Sequence, residues 1–346
     1  MFIFGGAALV YFMGIDIGGT KIEAALFSGA SDSSTDWEFK AKTDLFSLHY
    51  KLLNRGRIST GRQNGYHQAA ERLKDLCQKL ITDSGISVSE LRSIGIGMPG
   101  PIDPVTKLMI TGNSGIFIDK DIKNDLAASL PGFEGKIFCE NDANCFTLAE
   151  AVSGAAAEIP QMGSAQIVAG IILGTGVGGG VYRNGKLDSG RRGGASEWGH
   201  IPFQLNGFPC YCGNQGCVEQ YLSGPALEAL FSQRLYSQIE KRPDSREIFE
   251  LSESKDPVAM AVVKQYKRDL ASFLATLTQV LDPDIFVLGG GVSLQPGIYE
   301  GISEIMNPYL FVKESPPRVV PHMLGDSAGV IGAALLPFVD GESDQL

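Results

Sequence analysis

The sequence predicts an α/β protein built from two similar halves. Residues 13–28 and 170–185 repeat one pattern of strand, glycine turn and strand, and amphipathic helices alternate with short apolar runs. The chain has 346 residues, whereas a single hydrophobic core stops growing at roughly 250 to 300 residues, so two lobes are expected. Alternating strands and helices favour sheets that are covered by helices.

Each predicted element follows from its own pattern. Residues 13–28, MGIDIGGTKIEAALFS, alternate and break at Gly18-Gly19, which indicates a strand, a turn and a second strand. Residues 170–185, GIILGTGVGGGVYRNG, match this pattern. Helical periodicity with a polar face runs through 66–82 and 257–281. The second helix leads into a buried strand, IFVLG, and a glycine loop.

The stretch 45–65 fits the alternation poorly. It lies in a segment without acidic residues that contains Lys51, Arg55, Arg57 and Arg62. We interpret it as an exposed basic loop insertion with a helical end. A contact with phosphate or with a partner is the alternative interpretation.

Composition and charge narrow the class of partner. Hydrophobic residues make up 44% of the chain and charged residues 20%, as is ordinary for a globular protein. The formal net charge of −10 argues against nucleic acid, because such a partner needs a field of Lys and Arg to displace its counterions. We therefore expect a small substrate, and we expect magnesium to accompany any bound phosphate.

The first 12 residues form an apolar leader without charge. The leader lacks the basic start of a secretory signal and is shorter than the roughly 20 residues that span a bilayer. We interpret it as an extra strand, or as the product of a translation start placed upstream of Met13, which would make it dispensable. The protein is then expected in the cytoplasm with no membrane partner, where clustered thiols bind metal more often than they form disulfides.

Three glycine loops follow predicted strands. In the first, Asp16 precedes Gly18-Gly19-Thr20-Lys21, whose backbone N–H groups can approach phosphate oxygens while Asp16 holds magnesium. The second, Gly174-Thr175-Gly176, adds a hydroxyl donor, and the third, Gly289 to Gly291, lets an adenine ring lie against backbone. Each loop alone is more simply a tight turn. Together they favour a nucleotide cleft between the lobes.

A polar cluster follows the apolar strand KIFC. Asn141 and Asp142 in ENDAN precede a helical pattern, and Asn and Asp are preferred helix N-caps. A carboxylate in this place can also accept the proton of a substrate hydroxyl during phosphoryl transfer. The motif alone leaves both interpretations open.

One histidine and three closely spaced cysteines form a further cluster. Together they make a complete tetrahedral ligand set for zinc, and a complete set is typical of a structural site. A redox pair needs only two thiols and leaves the histidine unexplained. The four predicted ligands are His200, Cys210, Cys212 and Cys217.

The ordered motifs GIDIGGTK, GMPG, ENDAN, LGTGVGGG, EWGH, CYCGNQGCVEQ and VLGGGVS resemble those of the ROK family of repressors, open reading frames and kinases. The resemblance covers the chain from about Met13 to Pro337. It implies an actin-like, ribonuclease H-like ATPase fold with ATP and a sugar in a central cleft, and a homodimer. We expect a small lobe, 13–125 with a C-terminal helix at about 326–340, and a large lobe, 126–325, that contains the zinc motif.

Carried over residue by residue, the resemblance implies a role for each motif. The general base is Asp142. The sugar-binding positions are Asn113, Asn141, Asp142, Glu197, His200 and Glu219. The ATP-binding positions are Asp16, Gly18, Gly19, Thr20, Lys21, Gly174, Thr175, Gly176, Gly289, Gly290 and Gly291, with Asp16 also the candidate magnesium ligand. The family's zinc ligands match the four residues already named.

The resemblance predicts an ATP-dependent kinase that phosphorylates the 6-hydroxyl of a neutral hexose. Fructose is the favoured substrate, with mannose or glucose beside it, because SEWGH and PCYCGNQGCVEQ look like bacterial fructokinases. The motifs ILGTGVGGG and ENDANCF look equally like N-acetylglucosamine kinases, so N-acetylglucosamine or N-acetylmannosamine is the alternative.

Two other functions are less well supported by the sequence. A family repressor carries a DNA-reading helix-turn-helix ahead of the first phosphate loop, and only 12 residues precede Met13. A non-catalytic sugar sensor does not need the intact Asp142 and phosphate loops. One departure from the family concerns Thr43-Asp44, which stands where a Thr-Pro often joins the first sheet to a helix.

Overall fold

The computed structural model describes residues 9–31, 37–42, 47–112, 114–157, 167–234 and 242–339. The strands in these ranges are β1 Val10–Ile17, β2 Lys21–Ala30, β3 Phe39–Lys42, β4 Ser47–Ser59, β5 Leu91–Met98, β6 Lys136–Asn141, β7 Ile167–Leu173, β8 Val177–Arg183, β9 Lys186–Leu187, β10 Ile285–Gly289 and β11 Arg318–Pro321. The helices are α1 Tyr66–Asp83, α2 Ile122–Ser129, α3 Asp142–Val152, α4 Glu219–Leu222, α5 Gly224–Arg234, α6 Ser245–Glu253, α7 Pro257–Leu281, α8 Ile302–Met306 and α9 Ala328–Val339.

The chain divides into two compact units. Unit 1 comprises Met1–Pro160, Gly180–Ala195 and Leu324–Leu346, and unit 2 comprises Gln161–Gly179 and Ser196–Met323. The two predicted lobes, with their boundary at residue 125, stay a prediction.

Unit 1 contains a six-stranded sheet in the order β3-β4-β2-β1-β5-β6. β1 and β2 form an antiparallel pair, while β1, β5 and β6 run parallel to one another. Asp16 lies opposite Gly97 of β5, and Gly97 lies opposite Glu140 of β6. The carboxyl ends of β1 and β6 therefore reach the same edge of the sheet.

Helix α9 lies directly against this sheet because glycines let the two backbones touch. A Cβ atom on Gly14 would stand 2.0 Å from the carbonyl oxygen of Val330, and one on Gly95 would stand 1.7 Å from that of Ala333. Since protein interiors are close-packed, a side chain at either glycine would push the helix away from the sheet.

The basic stretch is a strand, so its prediction as a loop insertion is wrong. Along β4, Leu48 and Tyr50 are buried, and Lys51, Arg55 and Arg57 all fall on the exposed face. This period of two is the signal of a strand, and the run of basic residues obscured it. The adjacent Thr43-Asp44 lies outside the described residues, and the sheet gives way to α1 after β4 instead.

Unit 2 contains most of a second sheet, in the order β11-β10-β7-β8-β9, and the border between the units crosses β8 after Gly179. β7, β10 and β11 run parallel. The longest helix of this unit, α7, begins with Pro257 after Asp256, whose side chain accepts the N–H groups of Val258 and Ala259. Its apolar stripe is buried, which explains the strong periodicity in the sequence.

The α/β prediction is confirmed, and so are the predicted strands and helices outside the basic stretch. α1 and α7 occupy the two stretches of helical periodicity, and β1–β2 and β7–β8 occupy the two repeated strand patterns. The short apolar run forms β10, which is buried throughout. Among the described helices, none is long and apolar enough to cross a membrane.

Part of the apolar leader belongs to the core of unit 1. β1 begins at Val10, and the side chain of Phe12 is fully buried. Its ring stacks on Phe27 with 5.5 Å between centroids and meets Tyr50 and Phe338 edge-on at 6.0 and 5.2 Å. The burial of Phe12 argues against a chain trimmed to Met13.

We expect Phe12→Ala to lower the free energy of unfolding by about 3 to 5 kcal/mol, because it empties the centre of this aromatic cluster. Urea unfolding followed by circular dichroism measures the loss. Phe311→Ala is the matched control, since Phe311 is 89% exposed and its truncation should change stability by less than about 0.5 kcal/mol. Equal stability of wild type and Phe12→Ala would contradict this account of the leader.

Candidate functional site

The first glycine turn is fixed by hydrogen bonds from a buried threonine. The N–H of Gly18 donates to the carbonyl oxygen of Lys21 at 2.8 Å. Thr60, just after β4, donates its hydroxyl to the Gly18 carbonyl at 2.8 Å and its N–H to the Thr20 carbonyl at 3.0 Å. Because both carbonyl oxygens point toward Thr60, the turn has a fixed shape in which its remaining N–H groups can meet an anion.

An arginine lies beside the same turn. Gly61 adopts a left-handed conformation, φ 62° and ψ 36°, and the chain then enters a short 3-10 helix that begins at Arg62. A terminal guanidinium nitrogen of Arg62 stands 4.0 Å from the position of a Cβ on Gly19. This arginine supplies a cationic group next to the candidate phosphate loop in an acidic protein.

Asp16 lies at the end of β1 in a cluster of charges. Its neighbour across the strand pair is Glu23, which is buried and forms ion pairs with Arg55 and Arg57 of β4. Nε of Arg57 donates to Glu23 at 2.9 Å. Removal from water and the nearby Glu23 carboxylate raise the pKa of Asp16 to about 6, while Lys21 and Arg57 oppose the shift.

Asn141 and Asp142 stand where β6 gives way to α3. The side-chain oxygen of Asn141 accepts the N–H groups of Ala143 and Asn144 at 2.9 and 3.3 Å, so Asn141 is the N-cap. Asp142 is the first residue of the helix, and its Oδ1 accepts the Ala143 N–H at 2.7 Å. A carboxylate in the first turn of a helix interacts favourably with the helix dipole.

The parallel register brings Asp142 and Asp16 to the same sheet edge. Gly97 lies between them on β5, and a Cβ there would stand 3.7 Å from Cα of Asp142 and 3.6 Å from the Ile15 carbonyl oxygen. These are ordinary contact distances, so Gly97 lies against both neighbouring strand ends. Unit 1 thus presents a candidate metal ligand and a candidate base at the same edge of its sheet.

In unit 2, the second glycine loop is joined to Glu219. The Val177 N–H donates to Oε2 of Glu219 at 3.0 Å, and a Cβ on Gly176 would stand 2.4 Å from the same oxygen. The Gly174 carbonyl accepts the N–H of Gly224 at 2.8 Å. Glycine at 176 is therefore needed for Glu219 to reach the loop.

The third glycine loop meets the second one directly. Gly290 has φ 81°, and a Cβ there would stand 2.4 Å from the carbonyl oxygen of Leu173 and 2.9 Å from the N atom of Gly174. Gly291 has open space on the Cβ side. A cavity of about 640 Å³ nearby is lined by residues that include Thr175, Glu219 and Ser223, and its volume suits a small-molecule ligand.

The four predicted zinc ligands come together. Their ligand atoms all lie within 4.8 Å of one another in His200, Cys210, Cys212 and Cys217. Two sulfur atoms, of Cys212 and Cys217, are 3.6 Å apart, and Sγ of Cys210 is 3.7 Å from Nδ1 of His200.

These separations fit a metal of tetrahedral geometry. Zn–S bonds of about 2.3 Å and Zn–N bonds of about 2.0 to 2.1 Å, at tetrahedral angles, separate two sulfurs by about 3.8 Å and sulfur from nitrogen by about 3.6 Å. Positive φ angles at Gly213 and Gly216, 92° and 72°, fold the short loop that brings the cysteines together. The residues present can therefore hold zinc.

Glu197 completes a group of polar side chains around His200. Burial raises the pKa of Glu197, and Glu219 raises it further, whereas His200 lowers it. Two neighbouring carboxylates and an imidazole offer hydrogen bonds to several hydroxyl groups at once.

The predicted site residues are thus distributed over both units. Unit 1 holds Asp16, Gly18 to Lys21, Asn141 and Asp142, and unit 2 holds Gly174 to Gly176, Glu197, His200, the three cysteines, Glu219 and Gly289 to Gly291. Asn113 lies outside the described residues.

Comparison with known proteins decides the family. The ROK family profile matches residues 12–338. The chain belongs to the ROK family.

Several relatives of this ROK chain are sugar kinases by description. N-acetyl-D-glucosamine kinase of Yersinia pseudotuberculosis serotype O:1b is 31% identical over 339 residues, which cover 95% of this chain and 99% of that protein. The ROK hexokinase of Thermus thermophilus matches with a TM-score of 0.76 and 30% identity, over 96% of this chain and 100% of that one. A ROK glucokinase of Streptomyces griseus, solved with glucose and AMPPNP, matches with a TM-score of 0.71 and 27% identity, over 95% and 99%.

These matches confirm the predicted family and the actin-like ATPase fold. They also support the prediction of a hexose kinase, because each relative named here phosphorylates a sugar by its description.

Sequence reasoning missed three residues that shape the sites of this ROK chain: Glu23, Thr60 and Tyr211. Arg62 belongs to the basic stretch, for which a phosphate contact is the alternative interpretation. Thr60-Gly61 follows the first sheet and precedes α1, where the family often has Thr-Pro. The prediction placed that junction at Thr43-Asp44 because it missed β4. Glu23, a lone acid in an apolar strand, was a signal for a buried ion pair.

The raised pKa of Asp16 makes the stability of this ROK chain depend on pH. A carboxyl with a pKa of about 6 in the fold and an ordinary value of 3.8 holds its proton more tightly when folded. Its contribution to stability is therefore full below pH 3.8 and is lost as the pH rises through 6.

We compare the free energy of unfolding of Asp16→Asn with that of the wild type at pH 4 and at pH 7. Between these pH values the difference should shift in favour of the variant by up to about 3 kcal/mol, since one pKa unit corresponds to about 1.4 kcal/mol. Urea unfolding at both pH values, without magnesium or nucleotide, measures this difference. Asp75→Asn on α1 is the control, because Asp75 is exposed. A stability difference that is the same at both pH values would refute the effect.

Proposed function

We propose that the chain is an ATP-dependent sugar kinase that transfers the γ-phosphate to the 6-hydroxyl of a neutral hexose, with N-acetylglucosamine as the favoured substrate. The observation that carries the proposal is the match to an N-acetyl-D-glucosamine kinase along 95% of the chain. The motif residues expected for phosphates, base and sugar are all present in the part of the chain that this match covers.

The preference for fructose drawn from the motifs is not supported by these relatives, and the amino sugar fits better. The motifs that suggested fructose surround the candidate metal ligands, whose task is common to the family. Sugar choice depends instead on the shape of the pocket, where one methylene changes discrimination by only about 1 to 3 kcal/mol. Fructose and N-acetylmannosamine stay in the test as competitors.

Asp142 is the general base in this proposal. Its carboxylate takes the proton of the 6-hydroxyl as the sugar oxygen attacks the γ-phosphorus. The bond from the γ-phosphorus to the β–γ bridging oxygen breaks, and ADP leaves with that oxygen. The position of Asp142 at the start of α3, beside Gly97, supports the assignment.

The glycine turns are proposed to hold the phosphates. N–H groups of Gly19 to Lys21 and of Thr175 and Gly176 offset the phosphate charge, because the N–H groups of Gly18 and Gly174 donate within their own turns. Arg62 adds a cationic contact. Asp16 is the proposed ligand for the magnesium that accompanies ATP, and the bound cation would favour its ionised form.

The sugar is proposed to bind to Asn141, Glu197, His200 and Glu219. Carboxylates accept hydrogen bonds from sugar hydroxyls, and they repel an acidic substrate. The side-chain oxygen of Asn141 is used by the helix cap, so its NH₂ group is the part that can donate to the substrate.

We also propose that the four clustered ligands hold zinc. Zinc here would supply fixed geometry, since a complete set of protein ligands leaves no open position for chemistry. Nδ1 of His200 faces the cluster at 3.7 Å from Cys210, which fixes the ring and directs Nε2 away from the metal. Glu219 follows Cys217 by two residues, so the same site also positions its backbone.

The function is tested by comparing kcat/KM for N-acetylglucosamine, N-acetylmannosamine, fructose, mannose and glucose in a sugar-dependent ADP-release assay. We expect N-acetylglucosamine to have the highest value. Asp142→Asn should lower kcat by about 10²- to 10⁴-fold, the usual contribution of a general base, while Asp75→Asn keeps it. Full activity of Asp142→Asn would eliminate the mechanism, and no activity on any sugar would eliminate the function.

Zinc is tested by elemental analysis and by removing one ligand. We expect about one zinc per chain, and we expect Cys212→Ser to lose it, because three ligands hold the metal less tightly. Cys212 is exposed, so the variant should fold, with the sugar KM raised about tenfold and the ATP KM changed less than about twofold. Cys139→Ser removes a thiol outside the set and should retain zinc. Zinc-free protein from a purification without chelator would refute the site.

A further inference from the structure

Tyr211 stands between two of the clustered cysteines and reaches His200. Its hydroxyl oxygen lies 3.0 Å from Nε2 of His200, and its ring meets the imidazole edge-on, with 5.2 Å between centroids and an angle of 87° between planes. The side chain is nevertheless 62% exposed. Most of the side-chain surface therefore lies outside the protein interior.

The two nitrogens of His200 have separate tasks. Nδ1 faces Sγ of Cys210 and belongs to the metal set. A neutral imidazole that binds a metal through one nitrogen carries its proton on the other. Nε2 of His200 is then a donor with one proton, and the hydroxyl oxygen of Tyr211 accepts it.

A single proton serves one strong hydrogen bond at a time. The nitrogen that meets Tyr211 is also the one that the proposed function assigns to a sugar hydroxyl. Both partners cannot occupy the same position in front of Nε2, since each needs an oxygen at about 3 Å along the N–H direction.

We propose that Tyr211 is a displaceable cap on the sugar site: its hydroxyl holds the position of a sugar hydroxyl on His200 and leaves when the sugar binds. This inference rests on the proposed function. It makes Tyr211 a residue that sets sugar affinity, because each sugar must first break the bond between Tyr211 and His200. The bond also keeps the imidazole proton paired while the site is empty.

The matched variants are Tyr211→Phe and Tyr221→Phe. Each removes one hydroxyl and keeps the ring. The hydroxyl of Tyr221, in α4, accepts the N–H of Phe208 in the cysteine loop at 3.2 Å. Tyr221→Phe therefore controls for the loss of a phenol hydroxyl near the cysteine cluster.

Titration calorimetry of the full-length protein with N-acetylglucosamine and with fructose, without nucleotide, gives the sugar Kd. We expect Tyr211→Phe to lower Kd by about two- to tenfold, the effect of one net hydrogen bond, and we expect Tyr221→Phe to leave it within about twofold. Elemental analysis should give the same zinc content in both variants and the wild type, so the change in Kd belongs to the hydroxyl.

Three results would overturn the cap. An unchanged Kd in Tyr211→Phe means that the sugar does not compete with Tyr211, and a raised Kd means that the hydroxyl binds the sugar itself. Loss of zinc from Tyr211→Phe makes Tyr211 part of the metal site instead. Each of these leaves the kinase function intact, whereas a wild-type protein that binds neither sugar and phosphorylates none of the panel rejects the function together with the cap.

Discussion

The parallel register of β1, β5 and β6 is the constraint on which the chemistry of unit 1 depends. It sets Asp16 and Glu140 on either side of Gly97, so the first glycine turn and the start of α3 share one sheet edge. Backbone contact between α9 and the glycines of β1 and β5 supports this arrangement. A substitution that lifted α9 would disturb both candidate sites, although α9 itself contributes none of the proposed ligands.

Carboxylates that lie close together at that edge repel one another, and basic side chains of β4 partly offset this repulsion. Glu23 is buried beside Asp16 and raises its pKa, and the ion pairs of Glu23 with Arg55 and Arg57 limit the local negative charge. Arg55 and Arg57 of the basic stretch are therefore explained by Glu23 on the neighbouring strand and do not need an external partner. A cation bound at Asp16 would act in the same direction, because it too favours the ionised carboxylate.

Much of the fold and of the candidate site could be predicted because both follow local patterns. The glycine turns, the start of α3 and the four clustered ligands each occupy a short motif, and their strands and helices show clear periodicity. The strand β4 was missed because its long basic run hides an alternation that only the pairing with β2 makes visible. Thr60 and Tyr211 were missed for a different reason: their hydrogen bonds join residues distant in sequence or depend on a loop conformation. Sugar choice lies beyond both, since it depends on the shape of a pocket and not on a motif.

The cysteine loop shows why a metal suits this part of the chain. Leu205, Phe208 and Tyr211 are all substantially exposed, and between the 3-10 turn at His200 and the short helix α4 the loop has only isolated bridges. Such a segment buries too little apolar surface to fix its own shape, so bonds to a metal would supply the order that packing does not. In the proposed function, rigidity is needed at His200 and Glu219, because both flank the loop and hold hydrogen bonds to the same sugar. Tyr211 lies between two of these ligands without being one, and its hydroxyl reaches Nε2 of His200, so the same frame also positions the proposed cap.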